Sequence, residues 1–230
     1  MSILSYACMI VLVGFAVFVL SRFRPAPTQR IDDGMFSIRS GNGNFYAFDT
    51  GKGVALFDTG MSPKVAASGL RAMGMSPDAV THIFLTHSDR DHAGGAKAFP
   101  AAMLYISKEE EQMVDGRTPR QLGFLHNQRM AGYHALEDGD AVDIGGAKVR
   151  MLLTPGHTPG SASFAIDGRF IACGDLLRVA KDGSLLPFLR FIDMDHRRSV
   201  ESLRAAKQMV EGMQVVMTGH TGFRKKDTTE

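Results

Sequence analysis

From residue 34 onward the chain repeats one pattern: a short apolar run that ends on a turn carrying a chemically able polar residue. Val54-Ala55-Leu56-Phe57 runs into Asp58-Thr59-Gly60, and His82-Ile83-Phe84-Leu85 into Thr86-His87. Met151-Leu152-Leu153 leads to Thr154-Pro155-Gly156-His157, Phe170-Ile171-Ala172-Cys173 to Gly174-Asp175, and Val215-Val216-Met217 to Thr218-Gly219-His220. Their alternation and their β-branched and aromatic content predict strands. Gly41-Asn42-Gly43 reads as an Asn-Gly hairpin turn, and Asp167-Gly168 as a second tight hairpin. Helical spacing appears elsewhere. Ser62-Pro63 begins a helix that Gly74 stops. Ser107 and Glu110 form a capping box. Val200, Leu203, Ala206, Met209 and Val210 mark one face of a helix capped by Asp195 or Ser199. Strands in two groups, each accompanied by helices, predict an α+β domain of two packed sheets with helices outside.

The turns hold the chemistry. Thr86-His87-Ser88-Asp89-Arg90-Asp91-His92-Ala93-Gly94-Gly95 crowds four potential metal ligands onto one loop. Such a run costs solvation and like-charge repulsion unless a cation offsets them. His157, Asp175 and His220 each follow a strand in the same way, which predicts one mouth lined by His87, Asp89, Asp91, His92, His157, Asp175 and His220. Seven ligands exceed one tetrahedral zinc and suit two metals, or one metal with a spare pocket. Imidazole and carboxylate without thiolate fits Zn, Fe or Mn. Asp58 reads either as a buried carboxylate fixing the mouth or as a plain turn residue.

These motifs resemble the metallo-β-lactamase superfamily: His-x-His-x-Asp-His, a distant His, a Gly-Asp turn, a final His and an early Asp-Thr-Gly turn, matched from about residue 32 to His220. The resemblance implies a four-layer αβ/βα sandwich. It implies two divalent ions, zinc first: one on His87, Asp89 and His157, the other on Asp91, His92 and His220, with Asp175 bridging. It implies a hydrolase whose metal-bound hydroxide attacks an ester, thioester, lactone or phosphoester, with Asp91 the catalytic carboxylate, orienting the hydroxide or ligating the second metal, and Asp58 supporting the ligands. It also implies that the irregular, Arg- and Gly-rich stretch 115–133 lies over the mouth. Arg117, Arg120, Phe124, His126, Arg129 and Tyr133 are then candidate substrate contacts, against the plainer reading of a solvated surface insertion. Asp89 departs from the motif, where the family has a histidine. A carboxylate there shifts the metal toward Fe or Mn and raises two alternatives: a di-iron redox protein and a non-catalytic metal-binding protein.

Composition adds bounds. With 26 Lys plus Arg against 24 Asp plus Glu in 230 residues, charge gives no case for nucleic acid, and the expected partner is a small-molecule substrate. Cys8 and Cys173 lie in an apolar leader and an expected buried strand, so a disulfide is not expected. Residues 3–20 are apolar and uncharged, just long enough to span a bilayer, and lack a cleavage site. They predict a single-pass anchor over 1–21, followed by a stiff linker over 22–31 and the catalytic domain over 32–230. Arg22, Arg24 and Arg30 would keep that domain on the cytoplasmic side.

Overall fold

Alternation along the buried strands decides which of three cores each side chain joins. In β3 (Gly43–Asp49) Phe45 and Ala47 face one core while Tyr46 and Phe48 face another, and β4 (Val54–Phe57) repeats the division with Val54 and Leu56 against Ala55 and Phe57. This is a computed structural model, which describes residues 6, 9, 10, 13, 14, 17, 18, 21–120 and 122–226. One sheet runs in chain order: β1 (Gln29–Asp32), β2 (Met35–Ser40), β3, β4, β5 (Val80–Phe84), β6 (Met103–Ser107) and β7 (Tyr133–Leu136). Its first four strands pair antiparallel, and β4 through β7 pair parallel. The second sheet holds β8 (Ala141–Asp143), β9 (Lys148–Leu153), β10 (Ala162–Ile166), β11 (Phe170–Ala172), β14 (Val215–Met217) and β15 (Phe223–Lys225), neighbours in that order. A small ribbon of β12 (Leu177–Val179) and β13 (Leu185–Pro187) lies beside it.

The sheets face each other across a core in which Phe84 stacks on Phe57 with ring centroids 5.5 Å apart and meets Phe164 of the opposite sheet at 5.3 Å. Outside the first sheet lies helix α1 (Pro63–Ala72), which buries Ala66 and Leu70 and is capped by the Ser62 hydroxyl. Two single-turn helices, α2 (Arg90–Ala93) and α3 (Glu111–Val114), lie in the loops of the same sheet. Outside the second sheet lies α4 (His196–Gly212), which buries Ala206 and Val210 and is capped by Asp195. Helix, sheet, sheet, helix is the expected four-layer order. Strand direction then builds the site. β4 and β5 are parallel, as are β9, β11 and β14, so the turns after all five collect at one edge.

Several local expectations change. The first hairpin turns on Gly41-Asn42, since Ser40 pairs with Gly43; Gly41 takes φ +62°, the primed-turn arrangement with glycine first. Ser107 does accept from the Glu110 N–H at 3.2 Å, but the Glu110 side chain turns away from the helix end, and only a 3-10 turn and α3 follow. The short basic and polar segment after His220, which has no strand pattern of its own, forms β15, because Val216 and Met217 find partners in Arg224 and Phe223. The segment expected as a linker packs on the body: Arg24 N–H donates to His220 O, Ala26 N–H to Asn44 Oδ1, and residues 29–32 are an edge strand. The expected anchor falls largely outside the described residues, as does Cys8. Among the described residues no helix is long and apolar enough to cross a membrane.

Candidate metal centre

Four imidazoles meet at that edge, and each is held from behind by Nδ1. His92 Nδ1 lies 2.7 Å from Asp58 Oδ2, His87 Nδ1 3.0 Å from the Thr86 hydroxyl, His157 Nδ1 3.1 Å from Asp193 Oδ1 and His220 Nδ1 2.9 Å from Asn42 O. Nδ1–H donation to these oxygens leaves every Nε2 facing the cleft, where a metal ion can take the place of a proton. Asp58 is the hub of this support. It takes φ +61°, a left-handed conformation that Asp tolerates, and so aims its carboxylate at Thr86 N and Oγ1 as well as at His92. The plain-turn reading of Asp58 is therefore set aside.

The carboxylates enter between the rings. Asp175 Oδ1 is 3.6 Å from His92 Nε2, and Asp175 Oδ2 is 3.5 Å from His157 Nε2 and 3.4 Å from His220 Nε2. Asp91 Oδ2 is 3.3 Å from His220 Nε2. Gly219 permits this closeness, because a Cβ there would collide with Asp175 and His92. Asp91 is the open member, its side chain 35% exposed, against 5% or less for Asp175 and the four histidines. Burial opposes every charge here, yet the neighbours overcome it. His92 and His220 hold Asp91 down to about 2, and His220 and His92 hold Asp175 well below the carboxylate range. Asp175, Asp58 and Asp91 raise His92 well above its usual value, and Asp175 and Asp91 lift His220 to about 10.

Three buried ligand atoms have no hydrogen-bond partner: His87 Nε2, His92 Nε2 and Asp175 Oδ1. Burying such atoms unpaired is costly. They also form a set close enough to share one ion, as do His87, Asp89 and His157, and Asp91, His92 and His220. On this donor chemistry the residues fit a divalent cation. Imidazole nitrogens and a carboxylate with an open side toward Asp91 are the features of a catalytic site.

Two groups that sequence reasoning undervalued shape the rest. Arg120, its side chain 7% exposed, donates from Nε to Asp89 Oδ1 at 2.8 Å and Oδ2 at 2.9 Å, and from Nη2 to Ile192 O at 3.1 Å. Nη2 also lies 3.0 Å from His157 Nε2. Burial disfavours charge on His157, while Asp193, Asp89 and Asp175 favour it and pull its pKa up to about 9. Arg120 opposes them, since its Nη2 already faces His157 Nε2 and its own charge is permanent. Glu110 is buried and accepts from Ser88 N and Oγ, Thr158 Oγ1 and Gly160 N at 2.6–3.2 Å, clamping the His87 loop to the His157 loop. Its sequence signal was spent on the helix cap.

All seven expected ligand positions thus converge. Of the candidate substrate contacts, only Arg120 touches the cluster. Arg117 pairs with Asp115, Tyr133 packs in strand β7 against the α1-side core, and Phe124 is exposed. Asp193 was missed. It carries no motif, and it matters because it holds both His157 and His196. Phe23 stacks on His220 at 4.2 Å and Phe188 meets His157 at 5.5 Å, giving the cleft an apolar wall.

The comparisons agree with this geometry. A family profile described as the metallo-beta-lactamase superfamily matches residues 38–220, and the chain belongs to that superfamily. A probable metallo-hydrolase of Mycobacterium bovis is 31% identical over 166 residues, covering 63% of this chain and 53% of that protein. A hydroxyacylglutathione hydrolase of Gloeobacter violaceus is 32% identical over 108 residues, covering 45% of this chain and 37% of that one. The chain therefore spans about half the length of these curated relatives, or less. Among solved structures, a B3 metallo-beta-lactamase described as the first with an active-site glutamic acid superposes with TM-score 0.67 at 19% identity, covering 92% of this chain and 88% of that one. The subclass B3 enzyme BJP-1 of Bradyrhizobium japonicum superposes with TM-score 0.67 at 22% identity, covering 86% of this chain and 79% of that one. At these identities the structures speak for the fold.

Proposed function

We propose that this chain is a metal-dependent hydrolase of a small acyl or phosphoryl compound, with thioesters the first class to test. One observation carries the reading: His87 Nε2, His92 Nε2 and Asp175 Oδ1 are buried, unpartnered and convergent. A divalent ion on those atoms supplies Lewis acidity, polarising the substrate oxygen and acidifying water at the site. The protein's own groups do the rest. Asp58 and Thr86 keep His92 and His87 in the ligating tautomer. Asp91 is the open carboxylate, and at a pKa of about 2 it stays ionised, so it accepts a hydrogen bond from an attacking water and orients it. The Phe23 and Phe188 rings suit an apolar portion of the substrate beside His220 and His157. Thioesters lead because a relative is named for hydroxyacylglutathione hydrolysis. The redox alternative rested on Asp89 as a hard metal ligand; with Asp89 engaged by Arg120 and Asn127, that ground weakens.

The test is a panel of ester, thioester, lactone and phosphodiester substrates with the zinc-loaded full chain and its Asp91→Ala variant. Turnover that chelation abolishes and that Asp91→Ala lowers by about 100-fold or more supports the reading. No turnover on any class, or equal turnover by Asp91→Ala, rejects it.

A further inference from the structure

We infer that Arg120 stands where the family's first cation would sit, so that the chain holds a single divalent ion, on the side of the cleft that carries His92 and Asp175. The inference deepens the hydrolase reading and rests on it for the presence of a metal at all. The first-site set of His87, Asp89 and His157 has the right residues but not the free atoms. An imidazole nitrogen has one lone pair in the ring plane. His157 Nε2 is taken up by its neighbours, 3.0 Å from Arg120 Nη2 and 3.3 Å from Asp89 Oδ2. A nitrogen that accepts the guanidinium N–H cannot ligate a metal at the same time. Both oxygens of Asp89 face Arg120 Nε, and Asn127 Nδ2 adds a further donor to Asp89 Oδ1 at 2.9 Å. The guanidinium is 7% exposed, and a buried arginine keeps its charge. A divalent ion on the same ligands would face that charge at close range, in a setting where Coulomb repulsion is poorly screened.

The atoms left over tell the same story. His87 Nε2 stays 3.6 Å from Asp89 Oδ2 but has no hydrogen-bond partner, and His92 Nε2 and Asp175 Oδ1 have none either. Those three form one of the compact sets, with the fourth direction open toward Asp91. Three protein ligands and an open position complete a catalytic zinc site without help from Asp89 or His157. Charge agrees as well. Three carboxylates, Asp89, Asp91 and Asp175, face the cleft. Arg120 offsets one, and with the cleft histidines neutral in a metal-loaded site the remaining two balance one divalent ion. In this account the histidine-to-aspartate departure at position 89 and the arginine at 120 are one change: a carboxylate is the partner a guanidinium takes in two-oxygen contact, and an imidazole is not.

The experiment counts metal. The full chain is stripped, reloaded with excess zinc, desalted and measured by elemental mass spectrometry against protein concentration, with circular dichroism to confirm folding. One zinc per native chain is expected, rising to two in a folded Arg120→Ala variant that frees Asp89 and His157. His157→Ala is expected to keep its one zinc and His92→Ala to lose it. Two zinc ions per native chain overturn the inference, as does a folded Arg120→Ala that still holds one. If Arg120→Ala does not fold, the native count and the His157→Ala count decide, since a two-ion centre would lose an ion with His157. Turnover on the same samples is scored apart. One zinc without hydrolysis rejects the proposed function and leaves the single-ion centre standing; two zinc ions with hydrolysis do the reverse.

Discussion

The two halves of the cleft are built from the same residue types and fastened differently. On one side Asp89 and His157 are closed by the protein itself, through Arg120, and their loops are tied by Glu110. On the other, Asp58 aims His92, Gly219 lets Asp175 approach it, and His92 Nε2 and Asp175 Oδ1 are buried without a hydrogen-bond partner. A ligand-rich motif therefore does not by itself say where charge compensation comes from. A guanidinium is a permanent internal cation, whereas a metal ion must be acquired, and its uptake depends on protons and supply.

Predictions that strain this contrast can be ranked. The largest effect should come from Glu110→Ala, which leaves donors on Ser88, Thr158 and Gly160 buried without an acceptor. It is expected to cost about 3 kcal/mol, read as a lower urea midpoint at unchanged slope. Next come two matched variants behind the imidazoles. Asp58→Asn removes the support of His92 and should weaken zinc binding by roughly 10–100-fold, as second-layer changes at metal sites do. Asp193→Asn removes the matching support of His157 and should leave zinc affinity nearly unchanged. Equal losses in the two would erase the distinction between the halves.

A smaller effect concerns pH. His220 is raised to about 10 from an unfolded value near 6.5, so its contribution is complete below pH 6.5 and drains away as pH climbs through 10. Asp91 is lowered to about 2 from 3.8, so its contribution is complete above 3.8 and vanishes as pH falls through 2. The metal-stripped chain should melt highest between about pH 4 and 6.5 and lose stability on both sides, and zinc should flatten the alkaline limb by replacing the proton on His92, which is raised as well. Thermal melts across pH, with and without zinc, test this. The smallest change is Lys108→Ala. Its pair with Glu137 lies on the surface, each side chain more than half exposed, and its loss should leave the thermal midpoint nearly unchanged.

Much of the cleft was legible along the chain. Strand ends carrying His87, His157, Asp175 and His220 were visible because alternation and β-branched content are local, and so was the loop holding Asp89, Asp91 and His92. The order of layers followed from strands and helices in two groups. What escaped had non-local causes. Arg120 sits in a stretch without period and could not be told from its neighbours Arg117 and Arg129, because only the folded loop brings it 2.8 Å from Asp89. Glu110 fitted a helix cap three residues from Ser107, and the longer reach to Ser88 and Thr158 won because it satisfies buried donors. β15 carries no strand pattern of its own, and only its partner, β14, defines it.

The sequence by itself determined the ligand inventory, the strands that deliver it and the family to which the chain belongs, since all of these are written in residue type and spacing. Tertiary structure alone decided how the inventory is divided: which nitrogen keeps a free lone pair, which carboxylate meets an arginine, and which glycine lets two loops touch. Hydrogen-bond occupancy is a property of atoms a few ångströms apart in space, and residues 89, 120 and 157 become neighbours only when the sheets close.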